Sequence, residues 1–213
     1  MYQRPIRPVF DQRNSLWKNL QFCYPMFGHG IKHRLYDVGK FRQHGTFDGT
    51  PSEASTPFGI LVPDYNGSNN NARIPRGKVA WNGIVTLHFW FVLDSLPGSN
   101  RAIFDNQWGN DNSGGMQIVV ETNGNFNCYA GDFTGRQNVN SGAHSAGTWY
   151  SFIFEADANA DTLTVWENNQ QRAQNTGFTK NTIDGGTTNA NDWGWFINSQ
   201  LNAQVDGKGF NLM

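Results

Sequence analysis

The sequence is poor in charge, in cysteine and in long apolar runs. Asp, Glu, Lys and Arg make up 15% of its 213 residues, against about 25% in ordinary globular proteins. The formal net charge is -1, which gives the chain no general field for attracting a polyanion. No apolar run approaches the ~18 residues of a membrane span, and residues 1–14 lack the apolar core of a secretory signal. We therefore expect no membrane partner, no nucleic-acid partner and no export by that route.

The two cysteines, Cys23 and Cys128, are too few for a disulfide framework. They could form one bridge, but without an export signal we expect a reducing compartment, where such residues remain thiols. The sequence therefore predicts two buried thiols. No motif in it indicates a cofactor.

Glycine, asparagine and aromatic residues are abundant instead. The chain has 24 Gly and 26 Asn, and its aromatic residues, 14% of the total, include 8 Trp and 16 Phe. Gly and Asn supply the positive-φ positions of tight turns, whereas aromatic side chains supply the apolar surface that a core buries. This composition excludes a disordered chain and favours strands joined by turns.

Alternating apolar residues and turn signals predict about a dozen short strands and no convincing helix. The clearest pattern spans 84–93, where both faces are fairly apolar, as in a central strand of a two-sheet sandwich. Residues 122–124 and 157–161 predict hairpin turns, and residues 66–69 predict the turn of a further strand pair. The predicted strands are 20–24, 35–38, 45–47, the pair 58–62 and 72–74, 84–93, 101–104, 115–121, 125–130, 148–155, 162–167, 194–198 and 209–212. The predicted fold is an all-β, antiparallel, two-sheet jelly-roll sandwich.

Charge divides the chain into a basic first part and an acidic second part. Residues 1–80 contain 11 Lys or Arg and 5 Asp or Glu, a balance of +6, whereas residues 81–213 contain 5 and 12, a balance of -7. The division fits either a basic docking segment on an acidic body or two solvated faces of one domain. Residues 1–15 have prolines and no apolar periodicity, which predicts an extended docking arm before a single domain at 16–213. Its candidate partner-docking residues are Tyr2, Arg4, Arg7 and Arg13.

Several short segments follow one another in a characteristic order: Leu20-Gln21-Phe22, Leu35-Tyr36-Asp37, Pro57-Phe58-Gly59, Val85 to Leu93 with Asp94-Ser95-Leu96-Pro97, Gly147-Thr148-Trp149-Tyr150, and Leu163 to Asn168. That order resembles the concanavalin A-like jelly roll, and in particular the laminin G-like domains of phage and bacterial surface proteins. The resemblance covers the chain from residue 16 onward. It implies a jelly roll with one concave face, used in the family mainly for binding glycans or proteins and sometimes for cleaving glycans.

The arm before Ser15 is also similar to laminin G-like proteins of phage virions. The resemblance implies a non-enzymatic virion accessory protein, a capsid decoration or tail-associated module assembled in the host cytoplasm. Its implied partners are capsid or tail proteins and a cell-surface glycan. The alternatives are a cellular or secreted carbohydrate-binding module, and a glycan hydrolase or lyase on the same fold.

The end of the chain departs from the resemblance. Relatives continue through a longer final strand, whereas this chain stops at Phe210-Asn211-Leu212-Met213. The last strand is then either abbreviated or completed by a partner. An abbreviated strand would leave backbone donors and acceptors unpaired, so we expect an oligomer or a lattice.

Two predicted loops combine the residue types that hold a sugar. A tryptophan can stack on the C–H face of a sugar ring, while amides and carboxylates bind its hydroxyl groups. Alternatively, the tryptophans fill the edge of the core and the asparagines form turns. The candidate ligand-binding residues are Trp108, Asn110, Asp111, Asp132, Asn191, Asp192 and Trp193.

The pattern for catalysis is incomplete. Hydrolases on this fold resemble Glu-x-Asp-x-x-Glu, because two carboxylates must flank the scissile bond. Here Glu155 and Asp157 have the right spacing, but the second Glu is absent. We therefore predict no enzymatic activity.

The patterns for metal binding are incomplete as well. Asp157, Asn159 and Asp161 alternate like calcium ligands, but the loop lacks the expected glycine and bidentate glutamate. Three histidines also lie close together in the sequence, but no fourth zinc ligand follows at a recognisable spacing. These are His29, His33 and His44. We therefore predict no metal.

Overall fold

The computed structural model describes residues 34–35, 44–68, 70–74, 83–105, 115–132, 135–179, 193–195 and 205–210, of which 34–35, 132, 193–195 and 210 are described by their backbone alone. Fifteen strands and no helix occur within these ranges. The strands are β1 (Arg34–Leu35), β2 (Gly45–Asp48), β3 (Ser52–Ser55), β4 (Leu61–Asn66), β5 (Asn71–Ile74), β6 (Ile84–Leu93), β7 (Arg101–Asp105), β8 (Gly115–Val120), β9 (Asn125–Asp132), β10 (Gly135–Ala143), β11 (Tyr150–Asp157), β12 (Thr162–Glu167), β13 (Gln170–Asn175), β14 (Trp193–Trp195) and β15 (Asp206–Phe210).

The strands form two sheets. The eight-stranded sheet has the order β1-β2-β5-β14-β7-β8-β9-β10, and the seven-stranded sheet has the order β13-β12-β11-β6-β15-β4-β3. Neighbouring strands are antiparallel throughout. The predicted all-β, antiparallel two-sheet fold is therefore confirmed.

The core lies between the sheets, because strands such as β6 and β9 direct alternate residues inward. On β6 the inward residues include Phe89 and Phe91, both fully buried. Phe91 stacks on Phe126 of β9, in the opposite sheet, with ring centroids 4.8 Å apart. Strand β6 has three strands on each side, so the prediction that 84–93 is a central strand is also confirmed.

The predicted pairing of 58–62 with 72–74 is wrong. The strands found near these positions, β4 and β5, belong to different sheets. Strand β4 pairs with β3 in a hairpin, whereas β5 pairs with β2 and β14. Of the Asn- and Gly-rich residues 66–69, the described residues 66–68 therefore lie where the chain leaves one sheet for the other, a connection that needs the same turn-forming residues as a hairpin.

The expectation of an unpaired final strand is also wrong for the part of that strand that the structure describes. Strand β15 lies inside the seven-stranded sheet, between β4 and β6. Its Lys208 is opposite both Asp64 and Val92. Gly207 and Lys208 therefore have a partner on each side, whereas Gly209 and Phe210 pair in register with β6 alone. A strand between two neighbours gives no reason to expect an oligomer or a lattice.

Three strands were not predicted: β3, β10 and β13. Their sequences are mostly polar, and each lies at the end of its sheet. An edge strand has a neighbour on one side only, so it needs less apolar surface. The edges of β10 and β13 meet, where the Asn175 side-chain amide donates to the Asn138 carbonyl oxygen at 2.9 Å.

Cys128 is a buried free thiol on β9, as predicted, and burial raises the pKa of that thiol well above its usual range. Cys23 lies outside the described residues. In the described part of the chain there is no helix with the length and apolarity that crossing a membrane requires.

Candidate functional site

Most of the sequence-predicted site residues lie outside the described residues. This holds for the four arm residues and for Trp108, Asn110, Asp111, Asn191 and Asp192. For Asp132 and Trp193 the structure gives the backbone position only. These assignments stay predictions.

The backbone nevertheless relates the two loops to each other. Residues 106–114 join the end of β7 to the start of β8, and β14 begins at Trp193. Gly194 is opposite Asp105 at the end of β7, and Gly115 is opposite Gly131, next to Asp132. The ends of all these strands therefore lie on one side of the eight-stranded sheet, the side where the chain leaves the strands for the connecting segments. We call this side, formed by strand ends, the loop edge.

A row of mostly polar residues crosses the same sheet beside the loop edge. On β8 and β9 the inward residues Ile118 and Cys128 are fully buried, so Gln117 and Tyr129, which are opposite each other, point outward. Successive cross-strand partners in this row are Arg73, Gly194, Asp105, Gln117, Tyr129 and Asn138. We call this row and the outward residues next to it the eight-stranded face.

Tyr129 and Arg136 lie at the β9–β10 end of the eight-stranded face. The Arg136 guanidinium carbon lies 4.3 Å from the centroid of the Tyr129 ring, a cation–π distance. Arg136 also donates from Nη1 to Oε1 of Gln117 at 3.1 Å. These contacts hold the guanidinium plane against the sheet.

Gly131 allows this arrangement. A Cβ at Gly131 would lie 2.4 Å from the Gly135 carbonyl oxygen and 2.7 Å from Cα of Arg136. A side chain there would push β10 away from β9. The missing side chain therefore lets Arg136 approach Tyr129.

A second group of side chains on this face is fixed by hydrogen bonds around Asn127. The Asn127 amide nitrogen donates to Oε1 of Glu121 at 2.5 Å. Its oxygen accepts from the amides of Asn138 and Asn140 at 3.2 and 3.1 Å. Such amides are held in one orientation, as recognition of ligand hydroxyl groups requires.

Charged groups at the other end of the row are paired or buried. Arg73 forms an ion pair with Asp48, and Asp105 is 2% exposed. Arg136 is the basic side chain at the β9–β10 end of the row. The combination of an aromatic ring, a guanidinium group and oriented amides can bind a hydroxyl-rich ligand, including one with a carboxylate.

Sequence reasoning missed Tyr129, Arg136 and Asn127. The alternation of Phe126, Cys128 and Ala130, all fully buried, was the signal that places Asn127 and Tyr129 on the outer face. Arg136 carried no such signal because β10 was not predicted.

The residues considered for catalysis and calcium lie on the other sheet. Glu155 accepts a hydrogen bond from the Thr86 hydroxyl at 3.3 Å. Oδ1 of Asp157 accepts from the backbone nitrogens of Asn159 and Ala160 at 2.8 and 3.0 Å, so this oxygen closes the β11–β12 turn. Among the residues that the structure describes, no three His, Cys, Asp or Glu side chains converge as metal ligands.

No family model and no curated protein sequence matches the chain, but solved structures do. It is similar to the binding domain of Paraclostridial mosquitocidal protein 1, with a TM-score of 0.69 and 14% identity over 92% of this chain and 49% of that one. It is also similar to domain 4 of AbnA, an extracellular GH43 arabinanase from Geobacillus stearothermophilus in complex with arabinotriose, with a TM-score of 0.63 and 17% identity over 91% and 90% of the two chains.

A third similar structure is the binding domain of botulinum neurotoxin DC in complex with SialylT, with a TM-score of 0.65 and 10% identity over 93% of this chain and 47% of that one. The chain thus spans about half the length of the two toxin domains. At such identities the comparisons establish the fold alone, a two-sheet β-sandwich.

Proposed function

We propose that this protein is a non-enzymatic glycan-binding module that attaches to a phage virion as a capsid decoration or tail-associated protein assembled in the host cytoplasm. The observation that carries the binding role is the placement of Arg136 over Tyr129, beside the oriented amides around Asn127. The loop edge supports the same role, because the segments with the predicted ligand residues begin and end there.

Each group at the β9–β10 end of the eight-stranded face has a chemical task in this proposal. The Tyr129 ring offers an apolar surface for the C–H face of a sugar. The Arg136 guanidinium donates to ring hydroxyls or to a sugar carboxylate, and the Asn127 group sets the orientation of the neighbouring amides. The similar structures in complex with arabinotriose and SialylT support a glycan as the ligand class.

A glycan array followed by titration calorimetry tests the binding role. Replacing Tyr129 or Arg136 by Ala should weaken binding about tenfold or more, because each change removes a stacking or charge-assisted contact. Arg101→Ala is the matched control, since Arg101 begins β7 at the end opposite the loop edge. Wild-type affinity in both Tyr129→Ala and Arg136→Ala would contradict this site.

The arm is proposed to attach the module to the particle. Residues 1–15 carry the predicted docking residues Tyr2, Arg4, Arg7 and Arg13, which would meet an acidic capsid or tail surface. A chain without residues 1–15 should retain its melting temperature and glycan affinity and lose incorporation into particles. Undiminished incorporation would contradict the docking role.

A carbohydrate-binding module without a virion role is the second candidate. The similarity to the arabinanase domain favours it, because that match covers 90% of the other chain. Mass spectrometry of purified phage particles separates the candidates, since a virion protein is present at fixed copy number and a free module is absent.

A separate assay tests the non-enzymatic role. If the protein releases products from a polysaccharide panel and Glu155→Gln abolishes that release, the non-enzymatic role is contradicted.

A further inference from the structure

The outer surface of the seven-stranded sheet carries two tryptophans that the proposed function does not use. Trp90 on β6 alternates with the buried Phe89 and Phe91, and Trp166 on β12 follows the buried Val165. Both side chains therefore leave their strands on the outer side, where both are partly exposed, and Trp90 also packs against the margin of the core. We call this surface, with its neighbouring outward residues, the tryptophan face.

The strand register gives the separation of the two rings. Trp90 is opposite Ser151, while His88, Ile153 and Trp166 are successive cross-strand partners. Trp166 thus lies two strands across and two residues along from Trp90, or about 12 Å between Cα atoms. This distance exceeds the width of one sugar ring, so a ligand that touches both tryptophans needs a chain of at least two rings.

Polar groups lie beside the tryptophans, and Ile153 lies between His88 and Trp166. His88 Nε2 lies 3.3 Å from the Ser151 hydroxyl oxygen. On the next row, the Gln174 amide donates to the hydroxyl oxygen of the buried Thr164 at 3.2 Å, so Gln174 is the polar group that a ligand would meet there. A protein partner favours contiguous apolar area at the centre of its interface, whereas a sugar chain favours rings alternating with hydroxyl, amide and carboxyl groups.

An exposed phenylalanine extends the face at one end. Phe58 is 61% exposed, and its ring meets the edge of Trp90 with centroids 5.4 Å apart. The turn that carries it is fixed, because the Thr56 hydroxyl oxygen accepts from the backbone nitrogens of Phe58 and Ile60 at 3.3 and 3.1 Å. A large apolar side chain held rigidly in solvent is typical of a binding surface.

The charges on this face select the ligand class. Glu155 contributes a carboxylate. Lys208, outward on β15, has its Nζ paired with Asp94 and 3.6 Å from a carboxylate oxygen of Asp64. Burial lowers the pKa of His88, so its imidazole stays neutral near pH 7. The described part of the face therefore repels sialylated or uronic-acid glycans and accepts uncharged ones.

We propose that the tryptophan face is a second glycan site, which binds an uncharged linear oligosaccharide laid across β6, β11 and β12 so that it covers both Trp90 and Trp166. This site does not depend on the eight-stranded face, whose basic residue is Arg136. The two sites can therefore be tested separately.

Titration of intrinsic fluorescence and calorimetry with uncharged hexose and pentose oligosaccharides of increasing length test the proposal. Affinity should rise with length until both tryptophans are covered, and sialylated chains should gain nothing from this site. Trp166→Ala should weaken binding about tenfold, and Trp166→Phe should recover part of it. Leu96→Ala, at another exposed apolar side chain, is the control and should bind as the wild type does.

Two results would overturn the proposal. In the first, Trp166→Ala and the double variant Trp90→Phe/Trp166→Ala both bind every uncharged oligosaccharide with wild-type affinity. The melting temperature of each variant must show that it is folded. The other is loss of all glycan binding in Tyr129→Ala, which would assign the ligand to the eight-stranded face alone. Binding to uncharged chains retained in Tyr129→Ala and reduced in Trp166→Ala supports two sites.

Discussion

Gly124→Ala tests how the β8–β9 turn is packed. Gly124 has a φ of 84°, and an added Cβ would lie 2.3 Å from the backbone oxygen of His144. That oxygen cannot easily retreat, since the His144 backbone nitrogen donates to the Gly124 oxygen at 3.0 Å. The substitution therefore combines backbone strain with a steric clash.

The two costs can be separated. A left-handed conformation costs alanine about 1–2 kcal/mol, and overpacking adds about 1–3 kcal/mol. We expect Gly124→Ala to lower the free energy of unfolding by about 2–5 kcal/mol. For a domain of this size, that corresponds to a fall in melting temperature of about 4–20 °C.

Gly59→Ala is the matched control. Gly59 has a similar φ of 73°, but an added Cβ would have nothing within 4 Å, so only the strain of about 1–2 kcal/mol applies. Differential scanning calorimetry and urea unfolding of both variants measure the difference. Equal melting temperatures for Gly124→Ala and Gly59→Ala would refute the close approach of the turn to His144.

Three further predictions concern buried groups. Burial lowers the pKa of His88 below its ordinary value of 6.5, so the contribution of His88 to stability is complete above about pH 6.5 and is lost as the pH falls toward the folded-state pKa. Between pH 7.5 and 5.5 the melting temperature of His88→Gln should therefore fall less than that of the wild type. An equal fall in both proteins would contradict this. In a Cys23→Ser background, the buried Cys128 thiol should react with iodoacetamide only as fast as the protein unfolds, and rapid labelling of folded protein would show that the thiol is accessible. Phe126→Ala, which removes the ring stacked on Phe91, should cost about 3–5 kcal/mol in urea unfolding, and a cost below about 1 kcal/mol would place that ring outside the core.

The features predicted from sequence were those encoded by neighbouring residues. The alternation along 84–93 predicted β6, and Thr122-Asn123-Gly124 predicted the β8–β9 hairpin, because each pattern has a direct local cause in side-chain direction or turn geometry. Strand β10 could not be found in this way. Its polar residues suit an edge position, which depends on the order of strands across the sheet.

The candidate site shows the same division. Tyr129 could have been placed on an outer face from the buried residues on either side of it. Its contact with Arg136 depends on the pairing of β9 with β10, which no local pattern encodes. The common edge of the two predicted loops likewise required the position of β14 between β5 and β7.

The places of β14 and β15 impose an order on how the protein can be made. Strand β14 fits between β5 and β7, and β15 fits between β4 and β6, although both are synthesised after all four neighbours. On the ribosome, each of those four strands must therefore wait with one edge unpaired. Such edges attract other chains. The eight-stranded sheet cannot close before β14 has emerged, nor the seven-stranded sheet before β15. The fold therefore completes after most of the chain has been translated, and a nascent chain stalled before residue 193 is the species most exposed to aggregation.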